Sequence, residues 1–145
     1  MNIYRVLTPF LFILLALQGC KREPRPVEYG KDICAFCKMT IMDERFAAQC
    51  MSTKGKTYVF DDSRCMVLFL KNGGIWRNEV AGIYFSDYSS GKTWIKSDQA
   101  LLLRSEELRS PMGGNIAAFS SVGERESMQQ KLKGELLEWE DILAD

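Results

Sequence analysis

The chain has 145 residues, with 19 Lys and Arg against 19 Asp and Glu, 46% hydrophobic residues, five cysteines and no histidine. The interspersed charges leave no basic footprint for nucleic acid, and the missing imidazole excludes a nucleophile–His–acid set and the usual nitrogen ligand for zinc or iron. Enough of the chain is apolar for one domain, or two very small ones, with a real core.

Arg5 precedes an apolar stretch from Val6 to Leu17, followed by Leu17-Gln18-Gly19-Cys20. Those 12 residues fall short of the ~20 that cross a hydrocarbon core, so they read as the h-region of an export signal, and the small residues before Cys20 resemble a bacterial lipobox. Residues 1–19 are expected to be removed, leaving Cys20 as an acylated N-terminus that ties the chain to a membrane. Lys21 stands where many inner-membrane lipoproteins carry Asp, which favours the periplasmic face of the outer membrane over the inner. Loss of the signal removes Arg5 alone among charged groups, leaving 18 basic against 19 acidic residues and a net charge near −1. Residues 20–31, with Pro24 and Pro26 and no apolar period, read as a flexible tether.

A folded domain is expected over 32–145. Arg45 to Met51 reads as a strand, Thr53 to Lys56 as a turn and Thr57 to Phe60 as the returning strand. A helix follows, capped by Asp62 or Ser63, with Cys65, Leu68 and Phe69 on one face and Gly73 or Gly74 closing it. A strand over Ile83 to Tyr88 then leads to Gly91-Lys92-Thr93-Trp94-Ile95, which echoes Gly55-Lys56-Thr57-Tyr58-Val59 at a distance of 36 residues. The echo suggests a tandem repeat, 32–80 and 81–145. Asn115 to Phe119 reads as a strand, and Val122 to Lys133 as a helix opened by the capping box Ser121-x-x-Glu124 and stopped at Gly134. Glu135 to Trp139 reads as a last strand. Strands and helices in this order, with short hairpins, predict an α+β fold rather than a doubly wound parallel sheet, and the echo suggests that it is built of two small related hairpin/helix halves.

Cys34-Ala35-Phe36-Cys37-Lys38-Met39 places three sulphurs within six residues, in a loop before the first strand. Thiolate and thioether sulphurs favour Cu(I), and with no histidine any bound metal must rely on sulphur. A local disulfide or a redox pair fits the same spacing, although no βαβ pattern precedes the motif and no helix starts at Cys34. Cys50 and Cys65 read first as small buried hydrophobes, with a Cys50–Cys65 bridge possible. Met112, between Pro111 and Gly113-Gly114, sits on a shaped loop where ligation competes with core packing, and Asp61-Asp62 reads as a turn and helix N-terminus.

Taken in order, the cysteine motif with Thr40-Ile41, then Phe46-Ala47-Ala48-Gln49, Tyr58 to Met66, Asp87-Tyr88, and Pro111-Met112-Gly113 with Ala117-Ala118-Phe119, resemble the NosL family. The resemblance implies a non-enzymatic lipoprotein that binds Cu(I) and delivers it to nitrous oxide reductase or another cuproprotein client. It implies a site on Cys34, Cys37, Met39 and Met112, with Cys65 as a further candidate. In some relatives the resemblance implies a histidine in the copper site, and with none here either sulphur replaces it or the site is weaker and more labile. A thiol–disulfide oxidoreductase using Cys34 and Cys37, or a disulfide-stabilised adaptor, remains the alternative.

Overall fold

Every residue of β1 (Ala48–Ser52) is buried, because the strand is paired on both edges and covered on both faces. Its antiparallel partners are β2 (Thr57–Phe60), reached through a turn in which Gly55 takes the left-handed conformation, and β3 (Val80–Ser86). Between those two strands runs α1 (Ser63–Lys71), which starts where the Asp62 side chain accepts the Cys65 N–H. The short β4 (Trp94–Lys96) completes a sheet of order β2-β1-β3-β4. This computed structural model describes residues 23–144. The signal and Cys20 lie outside the described residues, and among those described no helix is long and apolar enough to cross a membrane.

A second sheet repeats the plan. β5 (Leu101–Arg104) pairs antiparallel with β6 (Ile116–Phe119), α2 (Val122–Leu132) follows, and β7 (Glu135–Leu137) returns to the free edge of β5, giving the order β6-β5-β7. Each unit is therefore strand, strand, helix, strand, with its first strand in the middle. Two related α+β halves are present, but the 36-residue echo aligned the wrong hairpins. The β3–β4 hairpin belongs to the first sheet, Asp98 precedes a strand rather than a helix, and a boundary at 80/81 falls inside β3. Glycine recurs because both hairpins need a left-handed turn residue, at Gly55 and Gly91.

Residues 25–31, expected to belong to a flexible tether, are held against the fold. Gln49 is fully buried on β1, where a polar side chain needs partners, and it finds them in the N–H (3.2 Å) and C=O (2.7 Å) of Arg25. The Arg25 guanidinium forms a two-pronged pair with Asp32, and Val27 and Tyr29 pack on the core.

The larger core gathers β1, β2, β3, α1 and part of the second sheet, with Phe60 enclosed and tilted against Phe69. A smaller one lies around Phe46, Leu103 and Phe119, and Tyr88 bridges the rings of Phe46 and Phe119. The sheets join where Asp87 pairs with Ala118 and its carboxylate accepts the Ser120 N–H and hydroxyl. α2 carries no fully buried residue and leans on the second core through Met128 and Leu132. The expected last strand ends at Leu137, and the chain closes with α3 (Trp139–Ala144), whose Trp139 meets Phe85 edge-on.

Candidate metal site

The Cys-x-x-Cys segment is a closed loop. Ile33 and Thr40 pair across its base, the Cys34 N–H donates to the Met39 carbonyl at 2.8 Å, and the Lys38 N–H returns to the Cys34 carbonyl at 3.2 Å. Lys38 takes a left-handed backbone (φ 65°), which turns the chain tightly enough to bring Cys34 and Cys37 to one side. The Ala35 N–H then donates to the Val59 carbonyl, fastening the loop to β2. β2 runs directly into Asp61, Asp62 and the first turn of α1, where Cys65 lies. The loop, the strand end and the helix start thus converge. The sulphurs of Cys34, Cys37 and Cys65 and one carboxylate oxygen of Asp61 all lie within 4.8 Å of one another.

Burial and hydrogen bonding make these donors unequal. Cys34 and Cys65 are fully buried, Asp61 is 2% exposed, and Cys37 is half-buried at the rim. A hydrogen bond from Cys65 is the main reason the Cys34 thiol is pushed down to about 6, with help from the backbone N–H groups of Asp61, Cys37 and Phe36. The same bond, with burial and the neighbouring Asp61, drives the Cys65 thiol upward, so Cys34 is the first thiolate and Cys65 keeps its proton. Cys37 is raised, first by burial, and its thiol donates to Asp61 Oδ2 at 3.5 Å. The other Asp61 oxygen, Oδ1, is buried with no hydrogen-bond partner.

Asp62 ties this cluster to the second unit. One oxygen accepts the Cys65 N–H at 3.1 Å, and the other accepts the Ser110 hydroxyl (2.8 Å) and the N–H groups of Met112 (3.0 Å) and Gly114 (3.2 Å). A Cβ on Gly114 would stand 3.0 Å from Arg64 Cβ, so a glycine lets the loop come this close to α1. Met112 is half-buried and packs on the core that contains Cys34 and Cys65.

Of the residues singled out in the sequence, Cys34, Cys37 and Cys65 come together, and the Met112 loop lies against the residue beside them. Met39 lends the loop its carbonyl while its side chain is 58% exposed. All four described cysteines are free, so neither a local Cys34–Cys37 disulfide nor a Cys50–Cys65 bridge is present, and Cys50 is a core residue whose thiol burial pushes up to about 11. Cys65 is both a buried side chain and a cluster member. Asp61 was missed as a donor. Its signal lay in the doubled aspartate, since one helix N-terminus needs only one capping carboxylate.

The NosL family model matches residues 27–145. Among solved structures, the fold is shared with the copper chaperone NosL from Shewanella denitrificans at 18% identity and a TM-score of 0.70, over 83% of this chain and 95% of that one. Among curated proteins, none matches by sequence.

Proposed function

The chain belongs to the NosL family, and from that premise we propose that it carries Cu(I) on the three sulphurs of Cys34, Cys37 and Cys65 and passes the ion to a cuproprotein client. The observation that supports this most directly is the convergence of three thiols from separate parts of the chain within 4.8 Å. Two or three thiolates suit the low coordination that a d¹⁰ monovalent ion accepts. Cys34 offers a thiolate near neutral pH, while the other two must give up protons as copper enters. The half-buried Cys37 is the point at which an incoming client sulphur can bind the ion before the buried pair lets go. Met112 is the neutral thioether best placed to support the bound ion, because its loop is fixed to Asp62, whereas Met39 can meet copper only at the surface.

The client in this reading is nitrous oxide reductase, as the family resemblance implies, or another cuproprotein. Acylated Cys20 would hold the carrier at the periplasmic face of a membrane, the outer one by the Lys21 argument. A thiol–disulfide enzyme fits less well, since Cys34, with the lowest thiol pKa, is fully buried and cannot reach a protein substrate.

The test is Cu(I) affinity by competition with a chromophoric chelator at several pH values for Cys34→Ser, Cys37→Ser and Met112→Ala. Both cysteine variants are expected to bind at least about tenfold more weakly, with a flatter pH dependence. Met112→Ala should lose affinity while keeping the wild-type pH slope, because a thioether has no proton to release. Wild-type affinity in both cysteine variants would refute the site.

A further inference from the structure

A groove of about 340 Å³ follows the seam between the two units. Arg64, Val67, Leu68 and Lys71 form one wall, on a single stripe of α1, and the second unit supplies the other with Arg104, Glu106 and the Gly113-Gly114 turn. The floor is apolar, made by the buried Val67, Ile116 and Ile142. Charge around it is one-sided. Three cations stand against one acid, Glu106, whose carboxylate already accepts from the Asn115 amide at 3.0 Å. Arg64 and Lys71 are exposed, and neither belongs to an ion pair among the described residues. Seven residues apart on a helix, they are ~10 Å from each other along its axis, with the apolar floor beside them.

We propose that this groove docks an acidic segment of the protein that receives copper, its carboxylates held by Arg64 and Lys71 and an aliphatic side chain between them on Val67, Ile116 and Ile142. The inference rests on the transfer reading and adds how the client is held. Its position suits transfer. Arg64 directly precedes Cys65, and its guanidinium lies over the turn that follows Met112, since a Cβ on Gly113 would stand 3.7 Å from Arg64 Nη1. A segment bound there touches both stretches that border the metal cluster. Complementary charge mainly speeds the encounter, and exposed pairs hold weakly once salt screens them, so the complex forms fast and releases readily.

The tether argues for a protein in the groove rather than a lipid surface. Cys50 and Ala48 share a face of β1 with their partners Tyr58 and Phe60, and Phe69 of α1 meets both rings, so the alternate residue Gln49 points to the opposite face. Arg25 is bound to Gln49 on that far side. The chain from Cys20 to Arg25 spans at most ~18 Å. A molecule anchored at Cys20 therefore keeps the Gln49 face toward the bilayer and the groove toward soluble proteins.

The probe is a random-peptide library displayed on phage and selected against the full-length protein in detergent. Enriched peptides should carry Glu or Asp next to Leu or Ile. The best of them, synthesised with a fluorescent label, should bind about tenfold or more weakly to Arg64→Glu/Lys71→Glu by anisotropy, and a peptide with Lys in place of its acids should recover part of the loss on that variant. Cu(I) affinity of the same variant should move less than about threefold, which also shows that it is folded; if it does not fold, Arg64→Gln/Lys71→Gln should weaken the peptide about threefold or more. Selection without acidic enrichment, or equal binding to wild type and variant, overturns the proposal. So does charge-dependent binding of phosphatidylglycerol vesicles without any selected peptide, which would make the patch a lipid surface. Failure of the copper reading gives a different pattern, with acidic peptides bound and Cu(I) not.

Discussion

Asp62→Ala should cost far more than the loss of a helix cap. The residue is 1% exposed and accepts four hydrogen bonds, one from the start of α1 and three from the loop that carries Met112. A hydrogen bond to a charged group contributes about 1.5–3 kcal/mol, whereas a cap alone contributes about 1 kcal/mol. The four do not add, because removing the carboxylate also removes the cost of burying it, and we expect a net loss of about 3–5 kcal/mol. That is a large share of the ~5–15 kcal/mol that holds a domain together. Asp62→Asn isolates the cause. Asparagine caps a helix as well as aspartate does, but its amide nitrogen would face the donors now bonded to the second oxygen, so Asn should still lose about 2 kcal/mol or more. Urea unfolding followed by tryptophan fluorescence gives both values, with the denaturant slope unchanged. An Asp62→Asn protein within about 0.5 kcal/mol of wild type would refute the clamp and leave Asp62 as a cap only.

Cys65→Ala should raise the Cys34 pKa from about 6 toward its ordinary value, since the Cys65 hydrogen bond is the largest cause of the depression; thiolate absorbance against pH reads the shift, and an unmoved midpoint would disprove the cause. In the wild type, the depressed Cys34 adds stability that is absent below about pH 6 and grows as pH rises toward 9. The raised Cys65 withdraws stability as pH rises above 9, so urea midpoints should climb between pH 6 and 9 and fall beyond. Gly134→Ala should cost about 2 kcal/mol in the same unfolding assay, because a Cβ there would stand 2.7 Å from the Arg104 carbonyl and 2.6 Å from a Leu103 methyl. Cys20→Ser should release the protein from membranes while leaving Cu(I) binding intact, and a variant that still sediments with membranes after a high-salt wash would defeat the lipid anchor.

Local chemistry was legible wherever a side chain acts on its own stretch of backbone. Asp62 as the cap of α1, Ser121 as the cap of α2 and the β1–β2 hairpin follow from capping and turn residues alone. Gly134 was only half read: Lys133 takes the left-handed turn at the end of α2, and the glycine is there for close approach. What depended on distant pairing was harder. Leu101 to Arg104 has no apolar–polar alternation, because β5 is the middle strand of its sheet, and α3 is too short to show a helical period. Cys65 could be placed on a buried face, yet its approach to Cys34 depends on the Ala35–Val59 hydrogen bond, which leaves no mark in the sequence. Asp61 was hidden by a plausible local role that its neighbour already filled.

The clamp at Asp62 also gives the molecule an internal gauge of its own breathing. The Met112 and Gly114 amides belong to one unit and are bonded to a carboxylate of the other, so solvent deuterium exchanges with them when this contact between the units opens. Their exchange measures that opening separately from the unravelling of either sheet. An ion held by the cysteines of the first unit and the thioether of Met112 would span the same seam. Loading would then slow exchange at these two amides more than at the hairpin turns.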